Sequence, residues 1–217
     1  MPKSLCIYCG QKPGITMDHI PPRCFFEEPC PNINRITVPC CMDCKLAGEG
    51  NDAKARNLIV SSIQAEPHRV ASAQLAGARN RELERGGALL KSVLSHMGTA
   101  TVHTAAGTYH APAFNLAGPV MDEFVQRMVR GLLYSVKKTI VIDPKVTWHT
   151  QLPPDTFTVF APGISRDVGD IFSYRVLFTP ESGRSFWLLT FYEHLHLVAA
   201  LEPKGTPLLP TGGPVTT

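Results

Sequence analysis

Two cysteine pairs stand out in this chain because their spacing suits metal binding. Cys6 and Cys9 form one C-x-x-C pair, and Cys41 and Cys44 form a second pair after 31 intervening residues. Two residues between thiolates allow both sulfurs to bind one ion from a tight turn, and two such pairs supply the four ligands of a closed tetrahedral site. The spacing therefore predicts a structural zinc ion held by these four cysteines.

The distribution of cysteine along the chain supports metal binding over disulfide formation. All 7 cysteines of the 217 residues lie at or before Cys44, which is not expected of a residue used only as a small hydrophobe. No signal peptide is visible at the start, and no run approaches the ~18 apolar residues of a membrane-spanning helix. We therefore expect a cytoplasmic chain with reduced thiols and no membrane contact.

Three cysteines are left without an assigned role by this spacing. Cys24 and Cys30 flank an acidic loop, where free thiols are expected and a third metal pair is the alternative. Cys40 competes with Cys41 as a ligand, but only Cys41 has the two-residue spacing to Cys44.

An aspartate–histidine pair, Asp18-His19, lies between the two cysteine pairs and is followed by two prolines. A neutral imidazole with a pKa near 6.5 accepts a proton from water at physiological pH. Asn34 precedes a short β-prone run that leads into the second cysteine pair. We expect a strand, a long loop, a second strand and then a helix that starts near Cys44. This order would gather Asp18, His19 and helix residues around one point.

Together these residues resemble the HNH endonuclease family, in its zinc-stapled ββα-metal branch. The similarity covers roughly residues 6–57, through the segments CIYCG, DHIPP and NRITVPCCMDC and the helix that follows. It implies metal-dependent hydrolysis of phosphodiester bonds in DNA. It also implies that His19 is the general base, that Asp18 binds a catalytic divalent metal such as magnesium or manganese, and that Asn34 orients the histidine.

The position after the last cysteine departs from the family pattern. The family usually has a metal-binding His or Asn there, whereas this chain has Lys45, whose ammonium group cannot coordinate a cation. Asn51 or Asp52 would supply the ligand if the helix begins late, or Lys45 would itself contact a phosphate. Arg23 and Arg35 border the site and are predicted to hold phosphates as well. The alternative function is a catalytically lapsed zinc module that binds nucleic acid or protein.

The sequence as a whole predicts an α+β protein with three regions. An N-terminal module covers residues 1–57, an accessory domain with helices and an antiparallel β-sheet covers residues 58–202, and residues 203–217 are expected to be disordered. The net charge of +3 permits DNA as a partner without demanding it. The accessory domain exceeds what cleavage needs, so we expect it to bind a protein partner or to form an oligomer.

Periodicity predicts the elements of the accessory domain. Apolar residues at helical spacing after Pro119 predict a helix, on which Arg127 and Arg130 are weaker candidates for nucleic-acid contact. Residues 101–104 and 108–114 predict a hairpin. The predicted strands of an antiparallel meander are residues 140–142, 157–160, 171–178, 185–192 and 195–201.

Overall fold

A computed structural model describes residues 4–29, 33–85, 87, 91, 94–104, 107–180 and 182–204 of the chain. Cys30 and most of the tail predicted to be disordered, residues 205–217, lie outside this range. Within it, helices are combined with antiparallel strands, and a five-stranded antiparallel sheet lies toward the C-terminus. The prediction of an α+β protein is therefore confirmed at this level. No helix in the described ranges is both long enough and apolar enough to span a bilayer.

The N-terminal region contains two strands and a long helix. Strands β1 (Thr16–Ile20) and β2 (Ile36–Cys40) are antiparallel, and helix α1 (Met42–Val60) follows directly. Successive side chains of a strand point to opposite faces. Asp18 and Ile20 are accordingly buried, whereas Met17 is exposed and His19 is half-buried. The strand thus directs the acid and the histidine of the pair to different faces.

Helices and a β-hairpin lie between the N-terminal region and the main sheet. Helix α2 (Arg69–Arg85) is followed by the hairpin of β3 (Met97–Thr104) and β4 (Gly107–Phe114), which confirms the predicted hairpin. Helix α3 (Pro119–Lys137) starts with the proline at its first position, as predicted. The apolar stripe of α3 is buried over Met121, Phe124, Val125, Met128, Val129, Leu132 and Leu133.

The C-terminal sheet has the strand order β5-β9-β8-β7-β6. Its strands are β5 (Lys145–His149), β6 (Ile164–Val168), β7 (Phe172–Phe178), β8 (Ser185–Phe191) and β9 (Leu195–Glu202), and every pairing is antiparallel. The meander predicted from residue 171 onward is confirmed. Strand β9 alternates between buried and half-buried residues along its whole length, as expected of a strand with one face in the core.

Two predicted strands are wrong. Residues 157–160 belong to a short helix, α4 (Thr156–Phe160), in which Thr156 and Phe160 are buried while Phe157 and Val159 are exposed. Burial four residues apart is the helical pattern, and it outweighs the β propensity of aromatic and branched residues. Residues 140–142 do not form a strand either, because the backbone turns at Asp143 with a φ of 46° and the strand starts after this turn.

Buried apolar residues between Cys6 and Leu201 form one core cluster. This cluster contains residues from both sides of the predicted boundary at residues 57–58. The ring of Phe25 stacks on Phe124 of α3 at 5.4 Å between centroids and also contacts Phe191 of β8. The hydroxyl of Tyr192 donates to the carbonyl oxygen of Phe25 at 3.1 Å. Helix α3 packs against α1, β1, β2, β5 and β9. The accessory residues therefore help to fix the N-terminal elements in position.

Candidate metal centre and histidine pocket

The first cysteine pair lies in a tight turn held against β2. The amide of Gly10 donates to the carbonyl oxygen of Cys6 at 2.8 Å, and Gly10 adopts a φ of 65°, which glycine tolerates best. The amide of Ile7 donates to the carbonyl oxygen of Pro39 at 3.1 Å. Because Pro39 lies just before the second cysteine pair, this hydrogen bond brings the two pairs together.

The four predicted cysteine ligands meet at one point. Cys41 caps the N-terminus of α1 and Cys44 lies in its first turn. The four sulfur atoms of Cys6, Cys9, Cys41 and Cys44 all lie within 4.8 Å of one another. The sulfurs of Cys9 and Cys41 are 3.9 Å apart, close to the ~3.8 Å edge of a tetrahedron with Zn–S bonds of about 2.3 Å. The cluster could therefore hold a structural zinc ion.

A fifth thiol, that of Cys40, supports this cluster from outside. It donates to the carbonyl oxygen of Cys41 at 3.2 Å, and its hydrogen bond to Cys6 lowers the pKa of that thiol to about 3. Burial raises the pKa of Cys44 instead. A divalent cation bound by the cluster would allow neighbouring thiols with such opposite tendencies to become thiolates together. Sequence spacing favoured Cys41 over Cys40 as a ligand. It gave no indication of the contact between Cys40 and the four-cysteine cluster.

The imidazole of His19 opens on a pocket of about 510 Å³ on the outer face of the β1–β2 hairpin. Burial lowers the pKa of His19, and the positive charges of Arg35, Arg23 and Lys45 lower it further, against the opposing charge of Asp18. The ring is therefore neutral at physiological pH and able to accept a proton. The other residues of the pocket wall are Ile33, Asn34, Arg35 and Thr37.

The structure brings Asn34 into the same pocket as His19. Asn34 is exposed, and its main-chain carbonyl oxygen accepts a hydrogen bond from Arg166 Nη2 of β6 at 2.8 Å. The accessory sheet therefore contributes to holding the loop before β2. Arg166 is separated from Asn34 by 132 positions, so local spacing offered no signal for it.

Asp18, the predicted ligand of a catalytic metal, lies on the opposite face of β1 and is engaged in an internal network. Its Oδ2 accepts hydrogen bonds from Tyr8 Oη at 2.6 Å and from Arg127 Nη2 at 2.7 Å. The side chains of Asp18 and Arg127 are only 10% and 12% exposed. This carboxylate is therefore a buried partner of an arginine rather than an open metal ligand.

The remaining residues considered for that site, Lys45, Asn51 and Asp52, do not form a metal site beside the histidine. The ammonium group of Lys45 contacts Thr16 Oγ1 at 3.3 Å and the carbonyl oxygen of Met17 at 3.4 Å. The amide of Asn51 donates to Glu123 Oε2, and Asp52 is buried. None of Asp18, Asn51 and Asp52 lines the pocket at His19. These residues, as placed, do not fit a catalytic divalent metal beside the histidine.

The interpretation of Arg127 and Arg130 as a nucleic-acid patch is wrong. Arg127 lies with its guanidinium 4.3 Å from the centroid of the Tyr8 ring and donates to the carbonyl oxygen of Cys44 at 2.7 Å. Arg130 donates to the carbonyl oxygens of Ile7 and Tyr8. Both arginines therefore bind the N-terminal region of the same chain and are turned away from solvent.

Asp52 is expected to make stability depend on pH. Burial raises its pKa from 3.8 to about 7, and its Oδ1 has no hydrogen-bond partner among the described residues. A carboxyl group whose pKa is raised on folding destabilises the fold as the pH rises from about 4 to about 7. Asp52→Asn should therefore raise the free energy of unfolding at pH 8 by on the order of 2–4 kcal/mol, and by much less at pH 5. Urea unfolding at both pH values measures the difference.

The exposed Asp155→Asn substitution is the matched control and should leave stability unchanged at both pH values. Equal effects of Asp52→Asn at pH 5 and pH 8 would contradict the assignment.

Comparisons with known proteins add no further information on this site. No family model matches the chain, and neither the curated proteins nor the solved structures that were searched gave a significant match.

Proposed function

We propose that this chain is an HNH-type endonuclease that hydrolyses phosphodiester bonds in DNA, with His19 as the general base. The observation that carries the proposal is the pocket at His19, where a half-buried histidine of lowered pKa shares a wall with Asn34 and Arg35. A neutral imidazole accepts a proton from an attacking water, and a neighbouring arginine suits a phosphate. The order β1, β2, α1 and the four-cysteine cluster are consistent with a zinc-stapled ββα-metal module.

Structural zinc has a supporting role in this proposal. Cys6 and Cys41 are buried and Cys9 and Cys44 are half-buried, and none of the four lines the pocket at His19. Zinc would join the first turn to the start of α1 and so fix both strands of the hairpin. His19, on β1, and Thr37, on β2, are directly opposite each other in the register of this hairpin. Zinc thereby acts on the geometry of the pocket and takes no part in the chemistry.

Plasmid nicking by His19→Ala tests the proposal. The zinc-loaded variant should nick supercoiled plasmid roughly 10²–10⁴ times more slowly than the wild type, because a positioned general base contributes about that factor. His149→Ala, which removes an exposed histidine of β5, should retain the wild-type rate. Metal content and circular dichroism of each variant establish that the fold is intact.

Two results would contradict nuclease activity at His19: equal nicking by wild type and His19→Ala, or no nicking by the wild type under any condition. The second candidate function is then a lapsed module that binds nucleic acid without cleaving it. It is favoured by the burial of Asp18 against Arg127. Such a module would bind duplex DNA with a salt-dependent affinity that His19→Ala leaves unchanged.

A partner protein or an oligomer formed through residues 58–202 stays a prediction. Its first test is the molar mass of the full chain in solution, alone and with DNA.

A further inference from the structure

We infer that side chains, above all Arg35 in the wall of the pocket, supply the positive charge at the scissile phosphate, and that hydrolysis at His19 needs no catalytic divalent metal. This inference rests on the proposed nuclease activity and concerns how the same pocket achieves it. The family resemblance implies a catalytic divalent metal. The residues that would have to bind this metal make other contacts instead.

The cation that balances Asp18 is already present as a side chain. Arg127 Nη2 lies 2.7 Å from Asp18 Oδ2, and Arg127 Nη1 lies 2.7 Å from the carbonyl oxygen of Cys44. A metal ion at Asp18 would have to displace a guanidinium that is only 12% exposed and is held by charge-assisted hydrogen bonds. The carboxylate is thus neutralised inside the protein.

The space around this guanidinium is closed. It lies 4.3 Å from the centroid of the Tyr8 ring, and it packs so tightly on Gly48 of α1 that a Cβ atom there would approach Arg127 Cζ to 2.3 Å. The hydroxyl of Tyr8 occupies a further position at the same carboxylate oxygen, at 2.6 Å. A hydrated magnesium ion keeps several waters and octahedral geometry, which this enclosure does not accommodate.

The pocket at His19 differs from the surroundings of Asp18, because positively charged side chains act on the histidine. Arg35 lines the pocket, and Arg23 and Lys45 are near enough for their charges to act on His19. The carboxylate of Asp18, which acts on the histidine with the opposite sign, is paired with Arg127. A pocket with this charge attracts a phosphodiester and disfavours a free divalent cation.

Arginine and lysine can perform the electrostatic part of phosphodiester hydrolysis. His19 takes a proton from water while the water oxygen forms a bond to phosphorus. The bond from phosphorus to the 3′ oxygen breaks, its electron pair stays on that oxygen, and solvent water protonates it. His19 then returns its proton to solvent. Throughout, the guanidinium and ammonium groups stabilise the charge that builds up on the non-bridging oxygens.

A nicking assay without added divalent metal tests the inference. The protein is loaded with zinc at its cysteine cluster, and free divalent ions are removed from buffer and plasmid with a chelating resin, which spares bound zinc better than a soluble chelator. Rates with and without millimolar Mg²⁺ or Mn²⁺ should agree within about threefold. Nicking that strictly requires Mg²⁺ or Mn²⁺ would overturn the inference and leave the proposed nuclease intact, whereas no nicking under any condition would overturn both.

Substitution of Arg35 supplies the second arm of the test. Arg35→Gln should lower the turnover number by roughly 10²–10³-fold, Arg35→Lys should recover part of the loss, and added Mg²⁺ should not rescue Arg35→Gln. Because a positive charge is removed beside His19, the acid limb of the rate profile should also move to higher pH. Arg184→Gln, at an exposed ion pair with Glu202, is the matched control. Unchanged turnover in Arg35→Gln, or full rescue by Mg²⁺, would contradict the role of Arg35.

Discussion

Cys9→Ser is expected to prevent stoichiometric zinc binding and abolish cooperative unfolding of the N-terminal elements at neutral pH. Structural zinc contributes about 10–16 kcal/mol of apparent binding free energy in small zinc-stapled modules. This is comparable to the whole net stability of a typical domain, about 5–15 kcal/mol. The four thiols, whose sulfur atoms lie within 4.8 Å of one another, belong to the first turn and to the start of α1. Loss of one metal ligand therefore weakens the attachment of the first turn to α1.

The matched control for this prediction is Cys24→Ser. Cys24 is half-buried, lies outside the four-thiol cluster, and has a pKa raised to about 11 by burial, so it is a protonated thiol. Its replacement should keep about one zinc ion per chain and change the free energy of unfolding by about 1 kcal/mol at most. Metal analysis measures the zinc content, and thermal unfolding monitored by circular dichroism measures the change in stability. Retention of stoichiometric zinc by Cys9→Ser would refute the assignment of this ligand.

The metal cluster could be predicted because its signal is local. Each pair is defined by two intervening residues, and such spacing needs no knowledge of the rest of the fold. In the structure, the pairing of β1 with β2 helps to bring the two cysteine pairs together. It also places His19 opposite Thr37, close to Asn34 and Arg35. The gathering of these pocket residues follows from the pairing of two short strands, and it was accessible from the sequence because both strands lie between the cysteine pairs.

The surroundings of Asp18 could not be predicted from the sequence. Arg127 is 109 positions away and lies on a helix whose apolar stripe indicates only which side faces the core. An arginine at the border of such a stripe is normally solvated, so a surface role was the natural interpretation. Only the packing of α3 against α1 and β1 shows that its guanidinium reaches a buried carboxylate. Contacts of this kind depend on tertiary structure and leave no local pattern.

The strands of the sheet show the same limit on a smaller scale. The strands formed by residues 172–178, 185–191 and 195–202 were predicted because these segments are rich in aromatic and branched residues and are separated by turn signals. Residues 157–160 have the same composition but follow two prolines and form one helical turn, with the amide of Thr156 donating to the carbonyl oxygen of Pro153. Composition alone does not distinguish a short strand from a single helical turn.

Arg127→Met is expected to cost about 3–5 kcal/mol of the free energy of unfolding at neutral pH, because it leaves the Asp18 carboxylate buried without its cation. Methionine retains apolar contact with the Tyr8 ring, so the loss reports mainly on charge. Urea unfolding of the wild type and Arg127→Met at neutral pH measures the loss.

A double-mutant cycle separates this ion pair from general damage to the core. Asp18→Asn removes the charge that Arg127 balances, so Arg127→Met should cost less in the Asp18→Asn background than in the wild type, by about 1–3 kcal/mol. Arg184→Met, which removes an exposed ion pair, should cost no more than about 0.5 kcal/mol in either background. Additive effects of Arg127→Met and Asp18→Asn would contradict the pairing. They would also make Asp18 a candidate ligand for a divalent metal again, because its buried carboxylate would then need a cation other than Arg127 to be stable.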